Sequence, residues 1–243
     1  MLRTFKADLH IHTCLSPCAD LEMHPRAITK QAGMKEIDII GICDHNSAEN
    51  VAAVASAAAA LNIRVLPGLE ITSQEEVHVL ALFDEPEPAF KLQEIVYGHL
   101  PGENDEQAFG MQVVVNEDGE VLGFNQRLLI GASTLSIEKV VENIHALDGL
   151  AIASHIDREG FSLIGQLGFI PEHLPLDGLE ISPRISYEEA LGKFNARFTL
   201  VCSSDAHYLR DIGTGFTTFY MEEPSTREIK KALLCEDGRR VIH

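Results

Sequence analysis

Short apolar runs flanked by polar turns recur along this chain: ADLHIH at 7–12, IDIIGIC at 37–43, IRVLPGLEI at 63–71, VHVLALF at 77–83, LAIAS at 150–154, GLEI at 178–181, FTLVCSS at 198–204 and FTTFYM at 216–221. A run of this kind reads as a strand buried on both faces. Helical patterns lie between several of them, over 25–32, over 48–61 after the cap-like Asn46 and Ser47, and over 136–147, 187–195 and 226–234, the last after Ser225. Strands alternating with helices make an α/β protein, and about seven strands buried on both faces suit a closed or nearly closed barrel better than an open sheet.

The pattern breaks between about 85 and 133. FKLQEIVYG reads as a helix, and MQVVV, NEDGE and VLGFN read as a β-hairpin with a glycine in its turn. The expectation is a single domain over 1–243 with this segment inserted above the mouth of any site at the strand ends, either shaping substrate choice or as inert decoration.

Composition removes several classes. At 243 residues with 45% hydrophobic and 23% charged residues, the chain has the makeup of a folded globular domain. The alanine-rich run VAAVASAAAALNI is shorter than the ~20 apolar residues of a membrane span, and MLRTFKADLHIHT lacks the pattern of a secretory signal. A cytoplasmic address without membrane contact is expected. Five cysteines at irregular spacing read as reduced thiols, with Cys14 and Cys18 as small buried hydrophobes rather than a metal pair. A formal charge of −18 predicts no long nucleic-acid duplex as partner, while a pocket holding cations still admits a small phosphorylated substrate. No heptad seam or interface patch indicates an oligomeric state.

Six of eleven histidines, His10, His12, His45, His78, His155 and His207, stand at or just after these apolar runs. Alternation along a strand puts His10 and His12 on one face, and Asp44, Glu70 and Asp205 lie at strand ends as well. In a parallel barrel such ends gather at one mouth. Imidazoles and carboxylates without an obligatory thiolate suit zinc, manganese or iron in a catalytic setting, and more than four ligands argue for several ions, with Glu70 a candidate bridge. His99, His145, His173 and His243 lie outside this pattern.

DLHIHT, ICDHN, PGLEI, VHVLAL, the Ser154–His155 pair and SSDAH together resemble the polymerase and histidinol phosphatase (PHP) superfamily, over nearly the whole chain except 85–133. The resemblance implies a distorted (β/α)7 barrel with two to three divalent ions at its mouth. It implies His10, His12, Glu70 and Asp205 around one ion, Glu70, His78 and His155 around a second, and His45 and His207 with Asp20 around a third. Asp20 is displaced from its usual place by Pro17, Cys18 and Ala19. His24 stands where a small hydroxyl residue is usual, as an extra active-site group or as a surface residue at a helix start.

The expected activity is that of a metal-dependent phosphoesterase acting on a small phosphorylated metabolite or nucleotide through a metal-activated hydroxide. Histidinol-phosphate hydrolysis is the alternative within the family, and a non-catalytic metal-binding accessory or regulatory module the alternative outside enzymes. Arg158 and Arg184 are candidate phosphate clamps or structural ion-pair partners. Asp44 is a candidate for orienting an imidazole, and Ser203 and Ser204 are expected to end a strand rather than to attack substrate.

Overall fold

The computed structural model describes residues 1–194 and 198–242, so Asn195 and His243 lie outside the described residues. The first half runs β1 (Arg3–Ile11), α1 (Pro25–Met34), β2 (Ile39–Ile42), α2 (Val51–Ala58), β3 (Arg64–Thr72), β4 (His78–Leu82), α3 (Pro86–Tyr97), α4 (Glu106–Phe109), β5 (Val113–Val115) and β6 (Val121–Phe124). The second runs α5 (Ile137–Ala146), β7 (Leu150–Ala153), α6 (Leu163–Leu167), β8 (Gly178–Ile181), α7 (Tyr187–Phe194), β9 (Leu200–Cys202), β10 (Thr217–Met221), α8 (Thr226–Leu233) and β11 (Arg240–Ile242).

The strands join in the order β11-β10-β1-β2-β3-β4-β7-β8-β9. A parallel bridge between Ile11 and Ala206, just past β9, brings the sheet round on itself, so the barrel wall is β1, β2, β3, β4, β7, β8 and β9. One strand departs from the expected parallel barrel. β4 pairs antiparallel with both β3 and β7 because only a tight turn over 73–77 separates it from β3. Its first residue, His78, therefore sits at the mouth where its neighbours end.

Alternation sorts the side chains into two layers. Ile40, Ile42, Leu69, Ile71, Val79, Ala81, Ala151, Ala153, Leu179 and Ile181 pack outward with helix residues such as Ile28, Val54 and Val140. Phe5, Ala7, Leu9, Ile39, Leu66, Leu80, Leu82, Ile152 and Val201 fill the interior, joined by Ile229 and Leu233 of α8. At Gly41 an added Cβ would lie 2.3 Å from the carbonyl oxygen of Leu9, so the close approach of β1 and β2 requires glycine.

The register of β1 slips between Asp8 and Ile11, where one extra residue is accommodated against β2. This bulge decides the site. Phe5, Ala7 and Leu9 face inward. Uninterrupted alternation would send His10 and His12 outward, whereas Ile11 packs in the outer layer and the two histidines turn into the barrel mouth.

The segment after β4 carries α3, α4 and the β5–β6 hairpin. It packs beside the loops that follow β1 and β2: Val113 N–H donates to Cys14 O at 3.0 Å, Asn46 Nδ2 donates to Leu129 O at 2.7 Å, and the Ser47 hydroxyl meets that of Tyr97 at 2.7 Å.

Candidate metal centre

Glu70, at the end of β3 and only 1% exposed, is the hub. Its Oε1 lies 3.4 Å from His10 Nε2, 2.9 Å from His78 Nδ1 and 3.2 Å from His155 Nε2. Its Oε2 lies 3.4 Å from His12 Nε2 and 3.1 Å from His45 Nδ1. Asp205 Oδ1 faces His10 Nε2 at 3.3 Å and His12 Nε2 at 3.1 Å. Among the described residues, three overlapping triads have ligand atoms within 4.8 Å of one another: His10, His12 and Asp205; His45, Glu70 and His78; and His12, His45 and His207.

Hydrogen bonds fix which nitrogens face the centre. Nδ1 of His10 donates to Glu180 Oε1 at 3.0 Å, which turns Nε2 inward. Nδ1 of His12 donates to Ser16 Oγ at 2.9 Å. That hydroxyl donates in turn to Asp44 Oδ1 at 2.7 Å, and Asp44 also accepts from Thr13 N and Oγ1 at 2.7 Å each. Asp44 thus touches no imidazole and reaches His12 through Ser16.

The Nε2 atoms of His10 and His12 end 3.1 Å apart, a spacing that a shared proton or a shared cation can bridge. Burial opposes charge on His10, but Glu180, Glu70 and Asp205 outweigh it and hold the imidazole well above its usual range. Burial and the neighbouring His207 hold His12 well below. Burial likewise opposes ionisation of Glu70, yet His78 and His10 keep its carboxyl well below the ordinary range. The negative charge gathered on Glu70, Glu180 and Asp205 around these imidazoles calls for a cation. A divalent ion answers it with nitrogen and carboxylate ligands from separate strands, and the donor set fits such an ion.

The loops that deliver these groups carry strain. His155, with φ 30°, and Asp205, with φ 49°, hold left-handed conformations that cost non-glycine residues free energy and cluster at functional sites. His155 N–H donates to Glu180 Oε1 at 3.1 Å, which anchors its turn. Its Nδ1, like Nδ1 of His45, is buried without an aligned hydrogen bond, the 3.1 Å approach of Glu70 to His45 being poorly directed.

The outer candidates divide. Arg158 pairs with Asp205 Oδ2 at 2.5 Å and so borders the cluster, whereas Arg184 is exposed on the loop after β8. Ser204 N–H donates to Asp8 Oδ1 at 3.0 Å, in keeping with a strand-ending role. His24 precedes α1 and packs under Gly119 of the hairpin, outside the triads.

Asp20 meets His207 through its backbone, its N–H donating to His207 O at 2.9 Å, and its carboxylate is turned to another partner. Its Oδ1 caps the N–H of Glu22 at 2.8 Å on a turn of its own, and it belongs to no triad. The physical reason is the sequence Ser16-Pro17-Cys18-Ala19. Ala19 N–H donates to Ser16 O at 2.9 Å, closing a β-turn with Pro17 at the position that favours proline. The turn presents Cys18, an exposed residue rather than a buried hydrophobe, near His45 and His207. Surrounding protein pushes its thiol up, but His207 and His45 outweigh this and bring it down to about 6.

Glu180 was not singled out from sequence, and Cys18 was read there as a small hydrophobe. Glu180 had a signal: GLEI occurs twice, at 68–71 and 178–181, and each copy buries a glutamate in an apolar strand.

A family model described as "PHP domain" matches residues 8–237. A 5'-3' exoribonuclease of Haemophilus influenzae is 23% identical over 192 residues, 63% of this chain and 69% of that one. A lesion-specific endonuclease Q from Pyrococcus furiosus has the same fold at a TM-score of 0.68 and 17% identity, covering 98% of this chain. This chain spans 58% of that structure's length. A two-domain protein from Bacteroides vulgatus containing a predicted PHP-like metal-dependent phosphoesterase matches 99% of this chain and 64% of its own, at a TM-score of 0.58 and 17% identity.

Endonuclease Q is also known in complex with a 27-mer duplex bearing an abasic lesion at its active site, again at 17% identity and a TM-score of 0.67, over 98% of this chain and 58% of that one. The expectation that charge −18 excludes a duplex partner is therefore corrected. Net charge sums the whole surface and does not fix the potential at one site, and here Arg158 borders the ligand set.

Proposed function

The chain belongs to the PHP domain family, and from that premise we propose that it is a metal-dependent hydrolase of phosphoesters whose substrate is a nucleotide unit, free or within a nucleic-acid strand. The observation that carries this reading is Glu70 at the junction of the ligand set, with five imidazoles within 3.4 Å. His10, His12, Glu70 and Asp205 would hold one ion, Glu70, His78 and His155 a second, and His45 and His207 would contribute to a third. Such ions, zinc, manganese or iron by donor chemistry, lower the pKa of bound water and neutralise charge on phosphoryl oxygens.

The chain's own groups supply the rest. Glu180 holds the Nδ1 proton of His10, and Ser16 with Asp44 holds that of His12, so neither ring turns when substrate arrives. Arg158 uses one nitrogen on Asp205 and keeps other donors for a phosphoryl oxygen. At the rim, Phe161 is 45% exposed and stacks on His78 with ring centroids 4.8 Å apart, a platform suited to a nucleobase. The names of the relatives, an exoribonuclease and a lesion-specific endonuclease, support the same substrate class.

The test is release of phosphate or cleavage products from nucleotides, single-stranded RNA, abasic-site duplex DNA, histidinol phosphate and simple phosphomonoesters, with manganese or zinc and with chelator. Chelator-sensitive turnover of the first three groups is expected. Turnover confined to the last two would retire the substrate class, and a metal-loaded chain inert toward all would overturn the enzyme reading.

A further inference from the structure

We infer that Asn46 is a positioning residue of the metal centre: its side-chain amide ties the inserted segment to the turn that carries His45, and so fixes where His45 and Glu70 stand. The inference rests on the metal-centre reading above and concerns only this residue. Asn46 follows His45 directly, is fully buried and holds a left-handed backbone with φ 52°, a conformation that asparagine tolerates better than most residues. Its backbone N–H donates to Glu70 O at 2.8 Å, while Glu70 N–H donates to Asp44 O at 3.0 Å, so the turn after β2 is bonded to the end of β3 on both sides of His45.

The side chain joins this turn to the insertion. Nδ2 donates to Leu129 O at 2.7 Å and to Gly131 O at 2.8 Å, and Oδ1 accepts from Thr72 N at 3.1 Å. An amide in this one orientation offers two donors to the carbonyls and an acceptor to the N–H. Asn50 repeats the tie at the hairpin: Nδ2 donates to Thr13 Oγ1 at 2.9 Å and to Val113 O at 3.0 Å, and Oδ1 accepts from Val115 N at 3.0 Å. Thr13 in turn holds Asp44, beside His45. The insertion thus braces the ligand set and is not decoration. A group that orients a ligand raises metal affinity although it touches no metal.

The experiment compares wild type, Asn46→Gly, Asn46→Asp and Asp177→Asn as full chains, by metal competition against a chromophoric chelator and by visible absorption of the cobalt-saturated protein. Glycine accepts φ 52° without strain and removes only the amide. Aspartate keeps the size and the acceptor but sets an oxygen against two carbonyls. Both should bind metal about 10–100-fold more weakly and shift the cobalt spectrum at saturation, because His45 is then held at a different angle. Asp177→Asn, before the start of β8 and so at the other end from the mouth, should lose stability with affinity and spectrum unchanged. Wild-type affinity or an unshifted spectrum in Asn46→Gly overturns the inference. An equal loss in Asp177→Asn also overturns it, by tracing the effect to stability alone. Should Asn46→Asp fail to fold, Asn46→Gly decides; failure of both would make Asn46 a residue of the fold rather than of the centre and would end the inference. Undisturbed metal binding in all four chains sinks this inference alone. A wild type that binds no metal sinks the metal-centre reading with it.

Discussion

Glu180 accepts the Nδ1 proton of His10 at 3.0 Å, joining β8 to β1 across 170 residues of sequence. The same carboxylate accepts the backbone N–H of His155 at 3.1 Å, so one buried group orients a ring and fixes a strained turn. Glu180→Ala is expected to weaken metal binding by about 10–100-fold, the usual effect of losing such an orienting partner. Metal competition against a chromophoric chelator measures it. Unchanged affinity would mean that His10 needs no such support.

Phe161 is argued to meet the base rather than the phosphate. Base stacking is worth about 1–3 kcal/mol, so Phe161→Ala should raise KM for nucleotide substrates by about 5–150-fold while kcat changes little. Steady-state kinetics on a nucleotide and on a base-free phosphoester separates the effects. Equal losses on both would contradict a stacking role.

Asp177, just before β8, accepts from His145 Nε2 at 2.9 Å, Ala151 N at 2.8 Å and Lys230 Nζ at 2.8 Å. Burial would raise its carboxyl, but these partners prevail and lower it below the ordinary 3.8. A depressed carboxyl contributes stability that is present above the unfolded value and lost as pH falls through the folded one. Asp177→Asn should therefore cost about 1–3 kcal/mol near neutrality, with the gap to wild type narrowing below pH 3.8. Urea denaturation at several pH values follows it, and a pH-independent gap would count against an ionic origin.

Gly41→Ala drives a methyl into the Leu9 carbonyl oxygen, 2.3 Å from where its Cβ would lie, beside the β1 bulge. Overpacking of this kind costs about 1–3 kcal/mol. Because the displaced backbone carries His10, metal affinity should fall along with the denaturation midpoint. A variant as stable and as metal-avid as wild type would show that β1 and β2 can separate freely.

Much of this was legible in the sequence, and the exceptions have physical causes. The wall strands read directly as apolar runs, because a strand buried on both faces has no polar face to confuse it. The direction of β4 did not, since direction depends on connection length, and only the short 73–77 turn reveals it. His10 and His12 read as a same-face pair, but the face was decided by the β1 bulge, which leaves no residue signature in ADLHIH. Counting along the chain points to Asp20, and counting does not reveal the Pro17-led turn after which one oxygen of its carboxylate caps Glu22 N–H.

If the groups gathered on Glu70 bind catalytic ions, losing that carboxylate removes metal and activity together. Metal content by mass spectrometry, taken with chelator-sensitive phosphoester hydrolysis, for wild type and Glu70→Ala, tests it most directly. About two to three ions per wild-type chain are expected, with both turnover and most of the bound metal lost in the variant. Full metal content and turnover in Glu70→Ala would contradict it.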